Sequence, residues 1–137
     1  MNEKELALTP AIKLRDLIQS KEISPVEITK IYLDRINKFD GRLNSYLTIT
    51  ADSALESAKL AEDQLMKGND LGLLHGIPIS IKDTQMTKGV KTTSGTLIYK
   101  DRIAETDATI VDKVKRAGAI ILGKTNTPEL GLVGTCI

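Results

Sequence analysis

The sequence is poor in the side chains that build metal centres and disulfides, with one cysteine, Cys136, and one histidine, His75. A lone cysteine excludes an internal disulfide, and this pair falls short of the four ligands of a structural zinc site. No metal or cofactor is expected. An excess of charge of one sign is missing too, since 19 Lys plus Arg face 18 Asp plus Glu. Without a global positive field, direct binding to nucleic acid or to an anionic membrane is not expected, and a small neutral molecule is the better partner. No apolar run approaches the roughly 20 residues that cross a bilayer. Met1 to Leu8 carries acidic residues where a signal peptide would have an apolar core. A soluble, cytoplasmic protein is the expectation. Repeats and low-complexity tracts are also absent. What the chain does have is 137 residues with 41% hydrophobic content, enough for the modest core of one compact unit or part of one.

Helix signals open the chain. Thr9 is placed to cap a segment with Pro10 at its first position, and Ile12, Leu14, Leu17 and Ile18 give an apolar stripe to about Lys21. Ser24, Pro25 and Glu27 read as N-cap, first position and capping-box partner of a second helix carrying Ile28, Ile31, Tyr32, Ile36 and Phe39, with Gly41 as its stop. Leu43 to Ile49 reads as a short strand, and Thr50 to Lys67 as a third helix closed by Gly68. Gly76 to Lys82 alternates Ile77, Ile79 and Ile81 with Pro78, Ser80 and Lys82, the period of a strand whose isoleucines face away from Lys82.

Asp83 to Ala104 lacks periodicity and gathers threonines and Ser94 around Gly89 and Gly95, which predicts a loop of functional length. Thr106 or Asp107 caps a further helix with Ile110, Val111, Val114 and Ala117 on its core face. Ala119 to Leu122 is a short apolar strand, and Thr127-Pro128-Glu129 announces another helix. Strands separated by helices predict an α/β fold with helices covering a sheet. Three strands are few, and a buried strand such as Ala119 to Leu122 wants a neighbour on each edge, so the expectation is a truncated domain.

Lys82 is the sharpest candidate for chemistry, because it ends an apolar strand at the mouth of a hydroxyl-rich loop. A lysine directed inward must pair with an anion or lose its charge, and a neutral amine near a hydroxyl is a general base. A solvated lysine at a strand end, followed by a turn-forming Asp83, is the alternative on pattern alone.

The run Leu74-His75-Gly76-Ile77-Pro78-Ile79-Ser80-Ile81-Lys82-Asp83 resembles the lysine segment of the amidase signature family. The similarity continues through Thr92-Thr93-Ser94-Gly95, Asp107 to Val111, and Ala117 to Asn126. Ser24 to Glu27 and Arg42 to Tyr46 fit as well, so nearly the whole chain is covered. The resemblance implies a mixed β-sheet enclosed by α-helices, of which residues 1–137 would be the truncated N-terminal portion. It also implies a Ser-cisSer-Lys triad in which Lys82 is the base, acting on a small-molecule amide. The two serines would lie downstream in a Gly/Ser-rich stretch, and this chain ends before one. Within the family, Thr125 to Gly131 is more similar to free-standing amidases than to the amidase-like A subunit of glutamyl-tRNA amidotransferase, which remains the alternative. From another class, the chain could be a non-catalytic module or gene fragment that self-associates or pairs with a complementary chain.

Other side chains carry weaker signals. Ser80 shares the Lys82 face, but reads as a supporting polar residue because no oxyanion loop accompanies it. Ser94 lacks the glycine pattern of a nucleophile elbow and reads as a loop-ordering hydroxyl. His75 has no matched carboxylate and reads as a hydrogen-bonding residue. Gly123-Lys124-Thr125 resembles the end of a phosphate-binding loop, but a strand precedes it, so nucleotide binding is not expected. Thr125 and Asn126 are expected to be scaffolding. Cys136 shows no sign of a lowered thiol pKa, and Lys113, Lys115 and Arg116 read as a solvated face.

Overall fold

The structure, a computed structural model, describes residues 2–69 and 72–132, so Cys136 lies outside the described residues. Its elements are α1 (Glu3–Ala7), α2 (Ala11–Gln19), α3 (Pro25–Leu43), β1 (Tyr46–Ile49), α4 (Ala51–Met66), β2 (Pro78–Lys82), α5 (Thr109–Arg116) and β3 (Ile120–Thr125). Single 3-10 turns lie at Leu97–Tyr99 and Glu129–Gly131.

Local chemistry explains most boundaries. Ser24 and Glu27 close the capping box that starts α3, with Pro25 at the first position where its missing N–H costs nothing. Gly41 does not stop this helix. The chain continues to Leu43 and turns at Asn44, whose φ of 55° is the left-handed conformation that asparagine tolerates. Asp40 then takes over the exposed amides, accepting from Ser45 N at 2.8 Å and Tyr46 N at 3.1 Å.

Several expectations need correction. The first helix, α1, has no counterpart in the sequence pattern described above. A capping box between Asn2 and Glu5 builds it. Thr9 caps nothing, since its hydroxyl donates to Glu5 O at 2.7 Å and Pro10 is itself the N-cap of α2. Ala108, and neither Thr106 nor Asp107, is the N-cap of α5, because Asp107 is drawn to the Lys88 amide and the Lys115 ammonium. Ile110 is exposed, leaving Val111 as the buried anchor of α5. Among the described residues Thr127-Pro128-Glu129 leads only into a 3-10 turn.

The three strands form a mixed sheet in the order β1-β3-β2, with β3 antiparallel to β1 and parallel to β2. The most apolar strand thus takes the centre, where both edges are paired. Helices α3 and α4 pack against it through Ile36, Ala54, Ala58 and Ala61, which enclose Ile120 and Leu122. The alanine face of α4 lets its backbone come close to β3. A second cluster of Leu14, Ile18, Ile23, Ile28 and Ile77 ties α2 and α3 to the start of β2.

Two irregularities set the faces of the sheet. Ile79 stands opposite Ile121 but Ser80 opposite Gly123, so Leu122 is an extra residue on β3. Gly123 admits the closest approach of β1, since a Cβ there would lie 2.3 Å from Thr48 O. Below the bulge, Ile81 pairs with Lys124 and Lys82 with Thr125, while Thr125 also pairs with Tyr46. Directly opposed residues share a face. Tyr46, Thr125 and Lys82 are therefore on one side, and Ile81 and Lys124 on the other.

Candidate active site

Lys82 is the last residue of β2, and its side chain is exposed. No hydrogen bond or ion pair engages its ammonium among the described residues. Ser80, two residues earlier on the same face, hydrogen-bonds the Tyr46 hydroxyl. That link crosses β3 at Gly123, where the absent side chain leaves room for the tyrosine ring.

Asp83 turns the opposite way and is fully buried. Its Oδ2 accepts from Thr93 N at 2.9 Å and from Thr93 Oγ1 at 2.7 Å, and its carbonyl accepts from Ser94 N at 3.2 Å. Its own amide donates to Thr125 O at 3.1 Å, extending the β2–β3 ladder by one rung. Asp83 thereby fastens the loop that follows β2 to the underside of the strand end.

The inward lysine is Lys124. It is buried completely and donates to Gln85 O at 2.6 Å and Thr92 Oγ1 at 2.9 Å, with Asp83 Oδ1 3.5 Å away. That last distance is long for a hydrogen bond but close enough for an ion pair, and Asp83 Oδ1 has no hydrogen-bond partner. Burial pushes the Lys124 pKa down from its ordinary value, and the Asp83 carboxylate opposes the shift. The Gly118 to Thr125 stretch has the full spacing of a phosphate-binding loop, yet it is a strand with its lysine sealed inside, which removes the phosphate cradle. Sequence reasoning missed Lys124 because the bulge at Leu122 hides its phase. The one legible signal was an opposite charge at the end of each of two apolar strands.

The remaining candidates stabilise the frame. Ser94, at φ 53°, accepts from Arg102 Nη2 at 2.8 Å, so its hydroxyl orders the loop as expected. Gly95 is needed beside it, since a Cβ would come within 2.6 Å of Thr127 O. His75 is buried, with Nε2 2.9 Å from Ala61 O. Asn126 Nδ2 donates to Asn44 O at 3.0 Å, tying the end of β3 to the α3–β1 turn. Lys115 and Arg116 on α5 pair with Asp107 and Asp112. A cavity of about 600 Å³ opens between the Thr93 to Leu97 turn and Asn126 to Glu129, and Lys82 does not line it. Among the described residues no cluster of three or more His, Cys, Asp or Glu could hold a metal ion, and no helix is long and apolar enough to cross a membrane.

The family model described as Amidase matches residues 27–137, a stretch that includes every residue of the Lys82 frame. The chain belongs to the amidase family. Among curated relatives, the glutamyl-tRNA(Gln) amidotransferase A subunit of Moorella thermoacetica is 42% identical over 128 residues, covering 93% of this chain and 26% of the relative. Its counterpart from Gloeothece citriformis is 44% identical over 120 residues, covering 88% and 25%. Amidases of known structure share the fold. The peptide amidase of Stenotrophomonas maltophilia superimposes with a TM-score of 0.86 at 30% identity, covering 93% of this chain and 26% of that one. A bacterial aryl acylamidase of the amidase signature family gives 0.86 at 32% identity, with 93% and 27% covered. The mixed sheet with its helices is thus part of the amidase signature fold, and the chain spans about a quarter of its relatives' length.

Proposed function

We propose that residues 1–137 are the N-terminal part of a single amidase domain that hydrolyses a carboxamide C–N bond through an acyl-enzyme, with Lys82 as the general base. The observation that carries this reading is the pairing of an exposed Lys82 with a locked Asp83. The strand end projects an unengaged amine from a rigid base, toward whatever chain covers that face. In the proposed sequence, neutral Lys82 takes a proton from a bridging cis-serine, which takes one from the nucleophilic serine as its Oγ attacks the amide carbon. The lysine ammonium then returns the proton to the departing nitrogen along the same route, and water cleaves the resulting ester. Both serines would lie beyond residue 137. Enclosure of Lys82 by that further chain would favour its neutral form, as the role requires.

The curated relatives support a second reading, in which the parent is a glutamyl-tRNA amidotransferase component that frees ammonia from glutamine. The structural relatives support a free-standing amidase with a small-molecule amide substrate. Ammonia release from glutamine, compared with turnover of simple aryl and peptide amides, separates them.

Labelling by a serine-directed fluorophosphonate tests the shared claim. The full-length protein should be labelled once, on a serine downstream of Ile137, and the isolated 137-residue chain should be unlabelled and inactive. Stoichiometric labelling of Ser80 or Ser94 would refute the reading.

A further inference from the structure

We propose that the buried Asp83–Lys124 pair is a charge-neutral positioning device for Lys82, anchoring the catalytic strand end while cancelling the field of its own anchor. This rests on the reading of Lys82 as the reactive amine.

Asp83 holds the strand end. It is the residue after Lys82, and its carboxylate fixes Thr93 while its carbonyl fixes the Ser94 amide. These bonds join β2 to a loop that would otherwise leave the strand end free to fray. A carboxylate suits this task because it accepts strongly and from several donors at once. It also places a buried negative charge one residue from Lys82, which would stabilise the ammonium and oppose its use as a base.

Lys124 removes that difficulty. Its ammonium lies 3.5 Å from Asp83 Oδ1, and its remaining protons are taken by Gln85 O and Thr92 Oγ1. Those last two acceptors belong to the same loop, so the pair grips it from β2 and β3 together. The one further charge acting on Lys124 is Arg102, whose guanidinium donates to Thr92 O and Ser94 Oγ and stacks on the Tyr99 ring. A neutral anchor of the same shape would hold the loop less firmly, and an unpaired carboxylate would hold it while tuning Lys82 in the wrong direction.

Opposite charge changes should therefore move Lys82 in opposite directions, which a merely structural role would not do. The experiment measures the titration of Lys82 directly, by competitive acetylation of its amine across a pH series with quantification by mass spectrometry. It uses the full-length protein and its Asp83→Asn, Lys124→Met and doubly substituted variants. Asp83→Asn strands a buried cation, and the Lys82 midpoint should fall. Lys124→Met strands a buried carboxylate, and the midpoint should rise. Each shift should be about half a pH unit, the effect of a unit charge about 10 Å away at an effective dielectric of about 40. The double variant should return to the unsubstituted value. Shifts of the same sign, or no shift in Asp83→Asn, would overturn the proposal. Should Lys124→Met fail to fold, the fall in Asp83→Asn and its recovery in the double variant decide the matter alone. Because the readout is labelling and not turnover, an error in assigning Lys82 as the base would appear in kinetics and leave this result standing.

Discussion

Gly123→Ala should be among the most damaging single-methyl changes in the chain. The added carbon would lie 2.3 Å from Thr48 O, 3.1 Å from Ile49 Cα and 3.2 Å from Tyr46 Cδ1. The first two are backbone atoms of β1, so no rotamer change relieves them, and the strand must retreat by about 1 Å to restore ordinary contact distances. That retreat strains the bonds joining the β1 region to β3: Thr50 N to Leu122 O at 2.9 Å, Thr50 Oγ1 to Ile121 O at 3.1 Å, and Asn126 N to Ser45 O at 2.7 Å. At about 1 kcal/mol net for each bond weakened, the loss should be about 3 kcal/mol, the upper end for overpacking. Urea unfolding of the full-length protein measures it as a shift in midpoint at constant slope. Gly41→Ala is the matched control. It sits inside α3 with no atom within 4 Å of the new carbon, and should stabilise by about 0.5 to 1 kcal/mol. A loss below about 1 kcal/mol at Gly123 would refute the packing argument.

The isolated 137-residue chain should self-associate or unfold without a sharp transition, because β1 and β2 each have one partner among the described residues and Leu47, Ile49 and Leu97 are exposed. A monodisperse, cooperatively melting monomer in light scattering and thermal unfolding would show that it is complete. The Ser45 hydroxyl, with the Ser45 and Tyr46 amides, holds the Asp40 carboxyl below its ordinary pKa, so its stabilising contribution is present above the unfolded value of about 3.9 and is lost as pH falls through the lower folded value. Asp40→Asn should flatten that acid dependence, and an unchanged acid limb in urea midpoints between about pH 5 and pH 2 would contradict the capping role.

Much of the frame was legible because its signals are local. The Ser24-Pro25-Glu27 capping box, the alternation that ends at Lys82 and the Gly68 and Gly118 stops each depend on a few adjacent residues, and each appears where the pattern placed it. The boundaries that failed depended on competition between partners. Asp107 had the right chemistry to cap α5, but Lys88 N and Lys115 hold it elsewhere. Gly41 had the right chemistry to end α3, but Asp40 and Asn44 build a better end three residues later. The site was legible on its exposed side only. Lys82 could be found from strand period, whereas Lys124 is placed inside by a bulge that no short pattern announces. The opposite fates of two strand-end lysines come from register, which is a property of the sheet.

The most direct test of the central claim is kcat for Lys82→Arg in the full-length protein. A lysine amine can be tuned by its surroundings to serve as a base near neutral pH, whereas a guanidinium stays protonated and cannot accept the serine proton. The account predicts a fall of at least about a hundredfold, within the roughly 10² to 10⁴ typical of a lost general base, comparable to Lys82→Ala and with the fold intact by circular dichroism. If Lys82 merely anchors substrate by its charge, arginine would keep kcat near normal and change mainly KM, and that result would contradict the assignment of Lys82 as the base.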